Sequence, residues 1–353
     1  MKNNSKILIC YNSPVSIFSI YNGRPASQNE FGNDLSETGF SKEIKKIEDA
    51  LSNKFSEVKT LAIDRNIKQT IDAIEKYSPD AIINFVESVE GVASYEYCMA
   101  GVYELMGYHF TGNTPICLGN CLNKERTKNI LRSMGVNTPA SQIARFNNKF
   151  TQKDFSLKYP VILKLLNEDA SIGISELSVV DNFAGLKKQL SFLQNTYKQD
   201  VIIEEYIDGR ELNVAILGDN ILPISEIKFN GLPGNLPKIV TYDGKWIEDS
   251  LYYKNTVPEC PAKINKKLQK KIEEIALLAY NVMGCRDYAR VDIRVNKEDV
   301  PFIIEVNPNP DISSDSGFAR AAAAAGISYT ELINKIAGFA LERKQYDSEV
   351  KAG

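Results

Sequence analysis

The chain has 353 residues, 43% apolar and 25% charged, with a formal net charge of −3. That is the composition of a globular protein large enough for two or three cores, and it gives no basic field for nucleic acid. His109 is the single histidine, which excludes Ser-His and Cys-His triads; no apolar stretch approaches a membrane span, so a cytoplasmic protein with no membrane partner is expected.

In chain order, strands are expected at 7–11, 58–63 and 81–86, alternating with amphipathic helices such as the one with Ile44, Ile47 and Leu51 on one face. This alternation predicts a small parallel α/β unit. No G-x-G-x-x-G follows its first strand, so it is not read as a dinucleotide site. A helix over 95–106 stops at Gly107, and a turn-rich exit leads to a second unit that opens with a helix over 124–134, ended by Gly135. Strands at 161–165 and 175–180 flank the loop 167–173. A third unit carries strands at 201–206 and 211–217 joined through Asp208-Gly209, then a Gly/Pro-rich stretch over 229–237. A long helix follows, with Ile264, Leu268, Ile272, Ile275, Ala279 and Val282 at helical spacing and Gly284 as its cap. An alanine-rich helix and a last helix opened by the capping box Ser328-x-x-Glu331 complete the chain. The units are placed at 1–120, 121–200 and 201–345. Cys117 and Cys121, the closest of six scattered cysteines, have no companion ligands nearby in sequence and read as reduced structural thiols.

The most informative segment is the pair Arg290-Val-Asp-Ile-Arg294 and Ile303-Ile-Glu-Val-Asn-Pro308, separated by Asn296-Lys-Glu-Asp299. Period-two alternation puts Arg290 and Asp292 on one face of the first strand and Glu305 and Asn307 on one face of the second. A turn centred between Glu298 and Asp299 sets Asp292 opposite Glu305 and Arg290 opposite Asn307. Such a hairpin offers hard oxygen ligands to Mg²⁺ beside a guanidinium for a phosphoryl group. A surface hairpin with a cross-strand ion pair is the bland alternative, but its two facing acids would repel. Lys164 at the end of an apolar strand needs an anion, and the small-residue loop with Ser171 and Gly173 has backbone N–H groups to present to one. The loop lacks the G-K-[ST] ending of a P-loop. Glu204-Glu-Tyr-Ile207 and Glu211 follow at the next strand pair.

The ordered set Lys124, Lys164, Glu204, Glu211, Lys245, Arg290, Asp292, Glu305 and Asn307 resembles the ATP-grasp superfamily, and within it the D-alanine–D-alanine ligase family, over about residues 81–341. The resemblance implies an α/β architecture: an N-terminal parallel α/β domain followed by two ATP-grasp subdomains. It implies ATP, and two Mg²⁺ ions for which Mn²⁺ could substitute. Lys124 and Lys164 match lysines on the ATP phosphates, and Lys245 matches a lysine brought over them by a mobile loop. Glu204, Glu205 and Ile207 match positions around the adenine, and Glu211 the acid on the ribose hydroxyls. Asp292, Glu305 and Asn307 match the metal ligands, Arg290 the arginine at the transferred phosphate, and Ser316 the serine near the acceptor carboxylate. The implied chemistry activates a carboxylate as an acyl phosphate for attack by an amine, with electrostatics in place of a covalent nucleophile. Small carboxylate and amine substrates, such as amino acids or short peptides, are the implied partners, and a homodimer is compatible.

The chain departs from that family where the family grips the first substrate's ammonium group. Tyr11-Asn-Ser-Pro-Val-Ser-Ile-Phe18 lacks the family's glycine pair and glutamate; Ala170 and Trp246 stand where it has a serine and a tyrosine, and Asp311 where it has a glycine. Losing an ammonium-binding network predicts a different carboxylate donor. Asp34, Ser36 and Glu37 are candidates to replace it, unless they are only a solvated loop and helix start. The other classes compatible with these residues are a phosphotransferase with a hydroxyl acceptor and a nucleotide-binding protein without turnover. The segment 229–246 is expected to be mobile until nucleotide binds.

Overall fold

The structure, a computed structural model, describes residues 2–13, 20 and 35–352, and the side chains among these outside 35–42 and 351–352. Strands β1 (Asn3–Asn12), β2 (Phe55–Ile63) and β3 (Ala81–Phe85) form a parallel sheet in the order β2-β1-β3, with α1 (Leu35–Ser52) and α2 (Ile67–Tyr77) as its crossovers. The apolar run of β1 has helices on both faces, as a central parallel strand must. Ile7 and Ile9 join one core with Ile44, Ile47 and Leu51 of α1, while Leu8 and Cys10 join another with Ile74 of α2. Helices α3 (Tyr95–Leu105), α4 (Pro115–Leu122) and α5 (Lys124–Ser133) lead onward. Thr114 caps α4 by accepting from the Cys117 N–H, with Pro115 in the first turn, where its missing donor costs nothing.

Next comes a four-stranded antiparallel sheet in the order β4-β7-β5-β6, made of β4 (Ser141–Ala144), β5 (Val161–Leu165), β6 (Val179–Val180) and β7 (Val201–Glu205). Helix α6 (Phe183–Tyr197) covers it, packing Leu186, Leu190 and Leu193 on Val161, Leu163 and Ile203. Two details differ from the sequence expectation. The strand expected at 175–180 is extended only at its end, because Ser175 caps a 3₁₀ turn, Glu176–Ser178. The strand at 201–205 lies in this sheet between β4 and β5, so the chain passes to the next sheet at 206–208 rather than turning back as a hairpin.

The third sheet, antiparallel, runs β11-β10-β8-β12-β13, with β9 beside β8. Its strands are β8 (Gly209–Leu217), β9 (Asn220–Ile221), β10 (Ser225–Lys228), β11 (Val257–Glu259), β12 (Tyr288–Asn296) and β13 (Pro301–Asn307). Gly209 enters it so close to β12 that a Cβ would lie 1.9 Å from the Val295 carbonyl oxygen, a position no other residue could occupy without moving backbone. Short helices α7 (Tyr242–Trp246) and α8 (Leu251–Asn255) precede β11. Helix α9 (Lys266–Val282) buries Leu268, Ile272, Ala276 and Ala279 against the sheet. After α10 (Gly317–Ala324), helix α11 (Tyr329–Ala352) returns to the first sheet, where Leu332, Ile336 and Ala340 enter the core of Ile7, Ile47 and Leu51. Its capping box forms: Ser328 N–H donates to the Glu331 carboxylate and Glu331 N–H to Ser328 Oγ. Among the described residues no helix is long and apolar enough to cross a membrane.

Candidate functional site

Strands β12 and β13 place Arg290 opposite Asn307 and Asp292 opposite Glu305. They reach this register by a route that alternation alone does not show. Val295 pairs with Pro301, Arg294 with Phe302 and Ile293 with Ile303, which centres the turn on Glu298; a bulge between Asp292 and Ile293 then recovers the offset. The extra residue, Ile304, turns its carbonyl to the Lys128 ammonium at 3.4 Å, in keeping with a bulge that leaves one residue out of the ladder.

On the large-sheet wall of the cleft, Arg290 grips Asp292 with two bonds, Nε to Oδ1 at 2.7 Å and Nη2 to Oδ2 at 2.8 Å. Asn213, paired with Asp292 across the ladder, donates to Oδ1 at 2.6 Å. Burial works against the Arg290 charge, yet Asp292 outweighs it and holds the guanidinium above its usual range. The same alternation carries Arg294 onto this face. It pairs with Glu211 at 2.8 Å, donates to the carbonyls of Ile207 at 3.1 Å and Lys238 at 2.7 Å, and lies over the Tyr206 ring. Glu211, matched to a ribose contact, is thus neutralised by its own sheet.

On the small-sheet wall the cations outnumber their partners. Glu204, 1% exposed, faces two lysines, Lys164 at 3.0 Å and Lys128 at 3.1 Å. The Lys128 contact is an ion pair without hydrogen-bond geometry at Glu204 Oε1. Burial, opposed by Glu204 and reinforced by Lys164, pulls the Lys128 ammonium down to about 8. Lys124, one turn earlier on α5, reaches the Glu168 carbonyl, Asp169 at 3.4 Å and Glu305 at 3.4 Å. Burial alone would raise Glu305, but Lys124, Lys164, a hydrogen bond with Asp169 and Lys245 hold it down at about 2. Asp169, half exposed at the rim, is pushed the other way by its surroundings and by Glu305, against the opposing Lys124 charge. Lys245 is exposed in the cleft, where desolvation and then Arg290 lower it while Glu305, Asp292 and Asp169 oppose.

The fold therefore gathers Lys124, Lys164, Glu204, Lys245, Arg290, Asp292 and Glu305 about one cleft. Glu205 points elsewhere, because adjacent strand residues alternate faces; it accepts from the Lys158 N–H at 3.3 Å. Asn307 accepts from the Asn309 N–H at 3.1 Å, and the Ser316 hydroxyl caps α10, accepting from the Ala319 N–H at 3.1 Å. In the small-residue loop Ala170, Ser171 and Gly173 all have positive φ (53°, 61° and 77°), a conformation costly for the first two. Lys128, Asp169, Asn213 and Arg294 are absent from the sequence-derived set. Lys128 was signalled by its i, i+4 spacing from Lys124 on one helix face, and Arg294 by the period of β12.

The segment 229–246 is held at several points by hydrogen bonds to the rest of the chain. Ser171 Oγ donates to the Val240 carbonyl at 3.0 Å, Tyr242 N–H to the Ile174 carbonyl at 3.0 Å, and Arg294 to Lys238. The Trp246 indole N–H donates to the Ala170 carbonyl at 3.2 Å, joining two of the positions at which the sequence departs from the resemblance. Asp311 accepts from the Ser313 N–H and hydroxyl at 2.8 and 2.7 Å. Asp34 and residues 14–18 lie outside the described residues, and Ser36 and Glu37 have described backbone only, within α1.

The family profile described as D-ala D-ala ligase C-terminus matches residues 131–337. The chain is 34% identical over 265 residues to an uncharacterized protein, y4sG, of Sinorhizobium fredii, covering 74% of this chain and 75% of that one. It is 31% identical over 240 residues to a D-alanine–D-alanine ligase of Nitrosospira multiformis, covering 68% and 74%. A crystal structure of the D-alanine–D-alanine ligase of Bacillus anthracis complexed with ATP superposes with a TM-score of 0.73 at 21% identity, over 97% of this chain and 99% of that one, which shows a shared fold.

Proposed function

Because the chain belongs to the D-alanine–D-alanine ligase family, we propose that it is an ATP-dependent carboxylate–amine ligase acting through an acyl phosphate, with amino acids or short peptides as substrates and a donor other than D-alanine. The observation that carries the ATP part is the surplus of buried cation on one wall of the cleft, where Lys128 and Lys164 share a single carboxylate. A polyanion is the ligand that relieves such an imbalance. Lys124, Lys128 and Lys164 would face the phosphates, with Ser171 and Gly173 in the loop beside them. Glu204, Ile207 and Glu211 would lie on the side of the base and ribose.

Glu305, kept ionised by its lysine neighbours, together with Asp292 and Asn307 makes an all-oxygen set suited to Mg²⁺. Two such ions, when bound, would neutralise phosphate charge as Lewis acids. Asp292 already accepts three hydrogen bonds from Arg290 and Asn213, which leaves an acceptor site on Oδ2 for a cation with the Arg290 guanidinium beside it. Lys245 adds its charge from the α7 side, and Ser316, at the α10 N-terminus, would meet the acceptor carboxylate.

A changed donor is supported by Trp246 and Ala170, which bond to each other through an indole N–H and a backbone carbonyl and offer no side-chain oxygen to accept from an ammonium group. The test is a pairwise screen of amino and other carboxylic acids for ADP release, with mass spectrometry of products. We expect amine-dependent ADP release and a new amide bond. Efficient D-alanyl-D-alanine formation from D-alanine alone, at about 10⁴ M⁻¹s⁻¹ or more in kcat/KM, would refute the changed donor. Transfer to a hydroxyl with no amine requirement would favour the phosphotransferase instead.

A further inference from the structure

Three cysteines far apart in sequence converge at the junction between α4 and the turn that enters β12. Cys117 and Cys121 are one turn apart on α4, and Cys285 follows directly on Gly284, the residue that closes α9. Their sulfurs all lie within 4.8 Å of one another, and Cys117 Sγ is 3.6 Å from Cys285 Sγ. Cys117 and Cys121 are buried and Cys285 half-buried. Reduced thiols expected to lack a companion ligand have acquired one through the fold.

We propose that this cluster is a three-thiolate site for a soft monovalent cation, copper(I). Sulfurs bound to one ion at metal–sulfur distances of about 2.3 Å stand about 3.8–4.0 Å apart. The Cys117–Cys285 spacing of 3.6 Å is close to that value and no sulfur pair exceeds 4.8 Å, so small rotations about the cysteine side chains would close the site. Thiolates select soft ions, which leaves copper(I) and zinc as the main candidates. A structural zinc site is almost always four-coordinate, and among the described residues no fourth histidine, cysteine or carboxylate joins the group. The neighbouring amide, Asn113, is already committed: its oxygen accepts from the Arg286 N–H at 2.7 Å and its nitrogen donates to the Tyr288 carbonyl at 3.0 Å and to that of Pro308. A three-coordinate soft ion fits what remains. Arg286, fixed by the Gly112 carbonyl at 2.8 Å and lying over Phe110, places a positive charge beside Cys285 to offset the thiolates. The thiol protons leave to solvent on the half-buried Cys285 side as the ion enters.

The site ties α4 to the root of the strand that carries Arg290 and Asp292, so occupancy should stiffen that junction without entering the cleft. The test is an anaerobic titration of the reduced full-length chain with copper(I) in competition with bathocuproine disulfonate, read by ultraviolet thiolate-to-copper absorption and by the melting temperature. One equivalent bound with a rise in melting temperature is expected, as is loss of at least tenfold in affinity in Cys117→Ser and in Cys285→Ser, with Cys10→Ser/Cys98→Ser/Cys260→Ser binding as the parent does. Cys285 is half-buried, so its variant is the one expected to keep the fold, which circular dichroism checks. Failure of the parent chain to compete for copper(I), undiminished binding by Cys285→Ser, or one equivalent of zinc held in preference to copper(I) would each overturn the assignment.

Discussion

The two walls of the cleft treat charge in opposite ways. Where the large sheet faces the cleft each cation has its own acid, Arg290 holding Asp292 and Arg294 holding Glu211; along β8 and β10 Arg210 and Lys228 share Glu226, with Glu259 also near Lys228. On the small sheet Lys128 and Lys164 converge on Glu204 alone, and burial, reinforced by Lys164 and only partly offset by Glu204, pulls the Lys128 ammonium down to about 8. The paired wall is nearly neutral. The unpaired wall carries the charge imbalance that the proposed polyanion would relieve.

The harshest way to break this contrast is to remove a charge between the walls. Glu305→Ala and Lys164→Ala should each lower ADP formation by about 10³-fold or more, the scale of single charge-stabilising groups. The measurement is steady-state turnover after melting curves confirm folding. Near-normal turnover in Glu305→Ala would mean that the hairpin does not hold the metal.

On the paired wall, Arg294→Met leaves Glu211 buried without its cation, and a loss of about 3–5 kcal/mol in unfolding free energy is expected. Adding Glu211→Leu should restore most of it. Denaturant melts of the two variants settle whether these pairs act as units; a single variant as stable as the parent chain would show that Glu211 finds solvent or another donor.

On the unpaired wall the opposite sign is expected. Lys128→Met leaves Glu204 with one lysine, so the nucleotide-free protein should be as stable as the parent or more so, while ATP binds about tenfold more weakly. The pH dependence follows the same logic. The folded value of Lys128, about 8, lies below the ordinary 10.5, so below pH 8 the folded state carries the full cost of a buried ammonium. As pH rises from about 8 toward 10.5 the folded state gives up that proton before the unfolded one, and this group's contribution to stability improves. Melting temperatures of parent and Lys128→Met at pH 7.5 and 9.5 should therefore diverge in slope, and calorimetry in buffers of different ionisation enthalpy should show proton uptake on ATP binding near pH 8. Parallel slopes and no uptake would place the surplus charge elsewhere.

The smallest effect expected is in the strap between the walls. Tyr242 N–H is already bonded to Ile174, so its hydrogen exchange should be slow with or without Mg-ATP, whereas residues 229–237 should gain protection when nucleotide binds. Unchanged exchange across 229–237 would argue against closure.

Much of this cleft was legible in the chain because the relevant periods are short. Alternation put Arg290 and Asp292 on one face, and the facing of Asp292 with Glu305 followed from turn position. That facing was right through two offsets that cancel, a turn centred on Glu298 and a bulge at Ile304, and no local pattern announces either. The path of 201–205 was misplaced because strand propensity marks a strand but not its sheet; pairing with Val161–Leu165 is a long-range choice made by the core under α6. Lys128 was overlooked because a lysine on a polar helix is ordinarily a solvated one. Its burial comes from the small-sheet wall, built later in the chain. The cysteine cluster was invisible for a related reason: the third thiol arrives with the turn after α9.

The return of α11 to the first sheet has a consequence for how the molecule is made. Ile7, Ile9, Ile47 and Leu51 share a core with Leu332, Ile336 and Ala340, so one face of the first sheet has only α1 over it until residues far later in the chain arrive. The ribosome must deliver the chain as far as α11 before that face is sealed, whereas the opposite face is closed by Ile74, Met99 and Tyr103, which emerge much sooner. The nascent protein therefore carries a partly open apolar surface until α11 emerges, and it is this face, rather than the charged cleft, that a chaperone would have to shield.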